Sequence, residues 1–253
     1  MNVRSGYGQY CPIAKAAEIL AERWTPLIVR NIYLRAHSFS DIRRGCPRMS
    51  TTLLAQRLRA LERAQVIERV AAPTGHGSRY YLTSAGQELA EVVLQMGTWG
   101  ARWLDLDPGD YDAAVVLWGW SKFIDADRLP AHRVVVRFDI SDDKHHYWML
   151  LQRPESEVCI KNPGLDEDLV VATDSVTLAD VHRGRLDFAQ AIKSGLLTLC
   201  GPPDLARAFP TWGGLSYYAK VEPARPFNSA GNTSRPEDLA AGPVSQQVAI
   251  VGC

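Results

Sequence analysis

The sequence predicts an α+β protein of two consecutive units, and three observations predict it. Residues 1–104 read as helices, a hairpin and a last helix, whereas 105–221 read as a helix, a run of strands and then further helices. Charge divides at the same place: residues 1–104 hold 14 Lys+Arg against 7 Asp+Glu, and residues 105–253 hold 14 against 21, within a neutral chain of 253 residues. Between them, Leu104-Asp-Leu-Asp-Pro-Gly-Asp-Tyr111 replaces helix formers with Asp, Pro and Gly.

In the first unit, residues 13–34 carry apolar side chains at helical intervals: Ala16, Ile19 and Leu20, then Trp24, Leu27, Ile28 and Ile32. Pro26 splits them into two helices and sits in the first turn of the second. Ser38-Phe-Ser-Asp41 opens a short helix that ends near Gly45-Cys-Pro47, and Ser50 caps a longer one over 51–64. Residues 66–72 and 78–83 are β-prone, joined by the turn-rich tip Pro73-Thr-Gly-His-Gly77. Ser84-Ala-Gly-Gln87 has capping-box spacing and starts a helix that runs to about Leu104. This order of elements is a winged helix-turn-helix.

The longer helix has two dissimilar sides. At about 100° per residue, Leu54, Leu58 and Leu61 fall together and Thr52, Gln56, Arg59 and Arg63 lie opposite. That second stripe holds no carboxylate, and its residue types bond base edges or phosphates; Gln pairs bidentately with adenine and Arg with guanine. The plainer account is an arginine-rich solvated face with no ligand. On the DNA account, Thr52, Gln56 and Arg59 read bases, Arg63 and Arg79 contact phosphate, and Ser50 caps the helix beside the backbone. Thr51 and Arg57 complete the helix's candidate set, and His76, Ser78 and Arg79 form a wing able to lie against a minor groove. In the last helix Leu89, Val92, Met96, Trp99 and Trp103 recur at steps of 3, 4, 3 and 4. Such a seam packs on another helix, within the subunit or in a homodimer, and two-fold DNA half-sites favour the homodimer.

Tyr10-Cys-Pro-Ile13, Glu22-Arg-Trp-Thr25, Phe39-Ser-Asp-Ile42, Met49-Ser-Thr-Thr-Leu-Leu54, Leu58-Arg-Ala-Leu61 and Tyr80-Tyr-Leu-Thr83 together resemble the HxlR-type branch of the MarR-like transcriptional regulators. The resemblance covers about the first hundred residues. It implies a dimeric regulator of operator DNA whose longer helix enters the major groove. It also implies a thiol sensor at Cys11, since members often carry a cysteine just before the first helix and in some it senses oxidants or electrophiles; the plainer account of Cys11 is an ordinary buried thiol.

In the second unit, a helix over 112–123 precedes strands at 132–140, 144–152, 157–161 and 169–173. Residues 178–183 and 188–194 read as helices, 196–200 as a strand and 203–208 as a final helix. Val134, Val136, Phe138 and Ile140 share one face of the first strand. The cadence Thr177-Leu-Ala-Asp-Val-His-Arg-Gly184, Ala191-Ile-Lys-Ser-Gly195 and Leu197-Thr-Leu-Cys-Gly201 resembles the sterol carrier protein type 2 fold, an α/β sandwich enclosing an apolar tunnel. The resemblance implies a ligand-binding domain for a hydrophobic small-molecule effector, for which Trp118, Trp120, Phe138, Tyr147, Trp148 and Trp212 are the candidate lining. For most of these aromatics the plain account is core packing. Trp118 and Trp120 stand two apart and cannot share one narrow helical stripe, so at least one is expected to face the pocket or the other unit.

Other chemistries find little support. His145-His146 cannot chelate one ion from a regular strand, whose neighbours point to opposite faces, and no Cys-x-x-Cys pair occurs among the five cysteines, so no metal and no cofactor is expected. No GxSxG elbow is present, which argues against an enzyme. No apolar run approaches the length of a membrane-spanning helix, and the N-terminus lacks a leader-like pattern, so no membrane partner and a cytoplasmic location with reduced thiols are expected. Residues 222–253 read as a tail rich in Pro, Gly, Ser and Asn. The leading expectation is therefore a dimeric DNA-binding regulator controlled by a hydrophobic molecule. The alternatives are control through Cys11 with a structural C-terminal domain, and an enzyme or carrier of a hydrophobic metabolite.

Overall fold

A computed structural model describes residues 6–73 and 77–224. The wing residue His76 and most of the predicted tail lie outside the described residues.

The N-terminal unit comprises α1 (Pro12–Leu20), α2 (Thr25–Tyr33), α3 (Phe39–Arg44), α4 (Thr51–Arg63), β1 (Ile67–Ala71), β2 (Ser78–Leu82) and α5 (Ser84–Trp103). Its boundaries follow local chemistry. Trp24 takes a left-handed conformation (φ 77°) that separates α1 from α2, and Pro26 occupies the first turn of α2, where a missing N–H costs nothing. The Ser38 hydroxyl accepts from Asp41 N at 3.1 Å, and that of Ser50 from Leu53 N at 3.2 Å. The last helix starts differently from the sequence expectation. Thr83, not Ser84, is its cap, accepting from Gly86 N at 3.1 Å while its own hydroxyl donates to the Gln65 carbonyl at 2.6 Å. A residue that also bonds the preceding turn outcompetes its neighbour for the cap. Ile28, Val29, Ile32, Ile42, Leu54, Leu58 and Leu61 are buried in one core under α4.

The C-terminal unit comprises α6 (Ala113–Lys122), β3 (Val134–Ile140), β4 (His146–Leu151), β5 (Glu157–Cys159), β6 (Leu169–Thr173), α7 (Ser175–His182), α8 (Phe188–Lys193), β7 (Thr198–Cys200) and α9 (Pro203–Ala208). The strands form one mixed sheet in the order β5-β4-β3-β6-β7, antiparallel throughout except where β3 runs parallel to β6. Val134, Val136, Phe138 and Ile140 face a core shared with Leu117, Trp120, Leu178, Val181 and Ala191 of the helices. Across the opposite face Arg137 binds Asp139 and Glu167, and Trp148 Nε1 donates to Glu167 at 2.8 Å.

Helix α6 belongs to both cores. Positions two apart on a helix point about 200° apart, and accordingly Trp120 enters the sheet core while Trp118 enters the core of the winged helix.

Candidate nucleic-acid interface

Helix α4 buries Leu54, Leu58 and Leu61, and the same geometry turns Thr51, Thr52, Gln56, Arg59 and Arg63 to solvent, with Ser50 exposed at its start. Thr52, Gln56, Arg59 and Arg63, each capable of bonding base edges or phosphates, thus line one side of a helix whose N-terminus is itself open. Arg57 does not join them. Its side chain is only 14% exposed and forms an ion pair with Glu22 at 2.5 Å; its Nε is buried with no hydrogen-bond partner among the described residues. Arg57 thereby ties α4 back to the segment between α1 and α2.

On the wing, β1 and β2 pair from Ile67–Leu82 to Ala71–Ser78. Ser78 accepts from Arg69 Nε at 2.7 Å, and Arg79 is exposed and bridges to Ser38 at the start of α3. The bridge brings the wing, α3 and α4 into one assembly. Sequence reasoning passed over Arg43 and Arg48, both exposed, of which Arg48 stands two residues before the α4 cap. The run Arg43-Arg44 followed by Arg48 was the signal available for them.

The proposed seam on α5 faces outward. Val92, Met96, Trp99 and Trp103 are each about half exposed, whereas Leu89 packs against the core. Among the described residues, packing within the subunit therefore accounts for Leu89 but leaves the other four about half uncovered. Cys11 is a free, partly exposed thiol at the N-cap of α1.

The six aromatics expected to line a pocket are distributed otherwise. Trp118 is 4% exposed inside the winged-helix core. Trp120, Phe138 and Trp212 come together around Phe209, with ring centroids 6.2, 6.2 and 5.8 Å from it. Tyr147 belongs to the same core and donates from its hydroxyl to Asp143 at 2.6 Å; burial and that carboxylate push its phenol well above its usual range. Trp148 lies on the other face of the sheet. A shallow depression of about 470 Å³ opens by Asp139, Ile140, His146, Thr173, Asp174 and Leu196, and none of the six aromatics lines it. His145 and His146 bond different carboxylates, Asp143 at 2.9 Å and Asp139 at 2.7 Å. Among the described residues no group of three or more His, Cys, Asp or Glu is placed to hold a metal, and no helix is long and apolar enough to cross a membrane.

A family model described as HxlR-like helix-turn-helix matches residues 19–108 of this chain. An uncharacterized HTH-type transcriptional regulator, YvaP of Bacillus subtilis (strain 168), is 34% identical over 99 residues, covering 38% of this chain and 92% of its own length. The HTH-type transcriptional regulator YodB of the same organism is 32% identical over 102 residues, covering 40% of this chain and 89% of its own. The sec-alkylsulfatase Pisa1 from Pseudomonas sp. is similar in structure over 46% of this chain and 18% of its own, at 22% identity and a TM-score of 0.35, a likeness too slight to carry any activity across.

Proposed function

The chain belongs to the HxlR-like helix-turn-helix family, and on that premise we propose that it is a transcriptional regulator that binds operator DNA as a homodimer. Each copy presents α4 to a major groove, with Thr52, Gln56 and Arg59 at base edges and Arg63 and Arg79 at phosphates. The observation that carries this reading is the exposed stripe of Thr52, Gln56, Arg59 and Arg63 on α4, which combines hydroxyl, amide and guanidinium groups and leaves the exposed carboxylate of Glu62 off to one side. The outward seam of Val92, Met96, Trp99 and Trp103 supports the homodimer. The division of labour places DNA binding and dimerisation in residues 1–104 and effector response in 105–221, with α6 as the joint. A hydrophobic effector is the class that suits the aromatic core, and because Trp120, Phe138, Phe209 and Trp212 already pack on one another, it has to displace rings to enter. It acts on DNA binding only through unequal affinity for the two states.

The test is to let the purified chain select duplexes from a random pool and to measure its affinity for the selected duplex and a scrambled one against salt. A selected duplex preferred by about a thousandfold or more, with a steep salt dependence, is the expected result. Equal affinity for both sinks the reading.

Cys11 supports a second mode of control, because a partly exposed, free thiol just before α1 is accessible to oxidants. Peroxide that releases the wild-type protein from its duplex but leaves Cys11→Ser bound would support it; equal release from both would end it.

A further inference from the structure

The C-terminal unit reaches into the helix-turn-helix at α3. Asp41 lies on α3, the first helix of the motif, and its carboxylate accepts from Trp118 Nε1 at 2.9 Å and from Lys122 Nζ at 2.6 Å, both on α6. The Asp41 and Lys122 side chains are 19% and 14% exposed, so the pair is largely withdrawn from water. The Trp118 ring lies under two cations, the Arg30 guanidinium 5.6 Å and the Lys122 ammonium 5.5 Å from its centroid. Space for the ring is provided by Gly45 at the end of α3, where a Cβ would sit 2.7 and 2.8 Å from ring carbons. Beside this junction Arg44 meets Glu157 at 3.1 Å and Arg48 donates to the Gly109 carbonyl at 2.8 Å. Apart from Arg30 on α2, these contacts fall on residues 41–48, the helix and turn that lead into α4, and Ile42, Cys46 and the following Met49 share a core with Leu54 and Leu58 of α4. Any shift of α3 is therefore passed to the exposed side of α4.

We propose that Trp118 and Lys122 are positioning residues for DNA reading: through Asp41 they set α3, and with it α4, in the orientation that fits the groove. The C-terminal unit is then an integral part of the DNA-binding head and not an appendage to it. The inference rests on the DNA-binding reading above. Neither side chain faces the stripe of Thr52, Gln56 and Arg59, so their contribution is to geometry and not to charge at the phosphates.

The experiment uses the full chain and the duplex that the wild-type protein selects from a random pool, with a scrambled duplex as reference. Lys122→Met removes the cation, Lys122→Arg restores it, and Trp118→Phe keeps a ring while removing the N–H donor. Loss of a charge-assisted hydrogen bond that holds α3 is expected to weaken binding to the selected duplex by about tenfold in Lys122→Met and Trp118→Phe. Affinity for the scrambled duplex and the slope against salt should stay at the wild-type level, and Lys122→Arg should recover most of the loss. Melting each variant separates this from simple destabilisation: a lowered midpoint with an unchanged ratio of selected to scrambled affinity overturns the proposal. So does an equal loss on both duplexes. Should Trp118→Phe not fold, the Lys122 pair decides alone. A wild-type chain that selects no duplex overturns the DNA-binding reading and this inference with it, whereas variants that match a selecting wild type overturn the inference only.

Discussion

Arg57 and Arg59 stand two residues apart on α4, and their surroundings assign them opposite tasks. Arg59 is exposed, so Arg59→Ala should cost roughly 1–3 kcal/mol at the base it reads and lower the ratio of specific to non-specific affinity. Arg79→Ala should instead weaken binding to every sequence and reduce the salt slope by about one, as loss of one phosphate contact does. Arg57→Ala removes the partner of Glu22, which is itself more than a third exposed, so a modest loss of roughly 1 kcal/mol in stability is expected with no change in specificity. Urea unfolding and duplex titration of the three variants separate these outcomes; a specificity change in Arg57→Ala would contradict the assignment. His182 makes the residue-level prediction for pH. Its ring stacks on Trp120 with centroids 6.1 Å apart, its Nδ1–H donates to the Gly214 carbonyl, and burial pushes its pKa down from 6.5 to about 4. The unfolded chain takes up this proton near 6.5 and the folded chain does not. Its contribution is therefore fully present above pH 6.5 and is lost as pH falls towards about 4, by on the order of 3 kcal/mol. Denaturation midpoints at pH 7.5 and 4.5 measure this, and His182→Gln should flatten the difference.

At the scale of the element, α5 shows what a helix does when only part of its apolar surface is used. Ala90 and Val93 belong to the winged-helix core and Leu94 is buried beside them in sequence, while Val92, Met96, Trp99 and Trp103 are about half exposed. Covering a tryptophan of this exposure gains on the order of 1–2 kcal/mol. Trp99→Glu should therefore raise the dissociation constant of the dimer by about tenfold or more, seen as a shift to monomer in sedimentation at micromolar concentration. A wild-type chain already monomeric there would remove the seam's role. The elements themselves were nearly all legible. The spacing of Leu54, Leu58 and Leu61, the caps Ser38 and Ser50, and Pro26 each act within one turn of chain, and the structure honours them. The cap of α5 was misread by one residue because two adjacent hydroxyl residues compete, and contact with Gln65, 18 residues away, favours Thr83.

Among the described residues the two units are tied at the α3–α6 junction and again at α5. Helix α6 carries Trp118 into the winged-helix core, and the segment after residue 213 returns to α5, where Ala224 N donates to the Arg102 carbonyl at 2.8 Å and Arg185 reaches the Ala101 carbonyl at 3.3 Å. A fragment of residues 1–104 lacks both ties and leaves the space under Gly45 unfilled. Loss of a buried tryptophan typically costs about 3–5 kcal/mol, so this fragment should melt well below the intact chain and bind an apolar dye. Calorimetry of the full chain should show one cooperative transition. Two separate transitions, the first matching that of the isolated fragment, would show that the units are independent.

By itself the sequence determined the order of elements, the division of charge, the amphipathic sense of α4 and the strand that buries Val134, Val136, Phe138 and Ile140. All of these depend on intervals of two, three or four residues, or on composition, and need no knowledge of what packs against them. Only the tertiary structure decided that Arg57 faces Glu22, that Trp118 and Trp120 enter different cores, and that Trp120, Phe138 and Trp212 meet at Phe209. Periodicity shows that two tryptophans two apart diverge, but the core that each enters depends on partners such as Asp41, 77 residues from Trp118. Such pairings are set by how two folded surfaces meet, and no local interval in the chain encodes them.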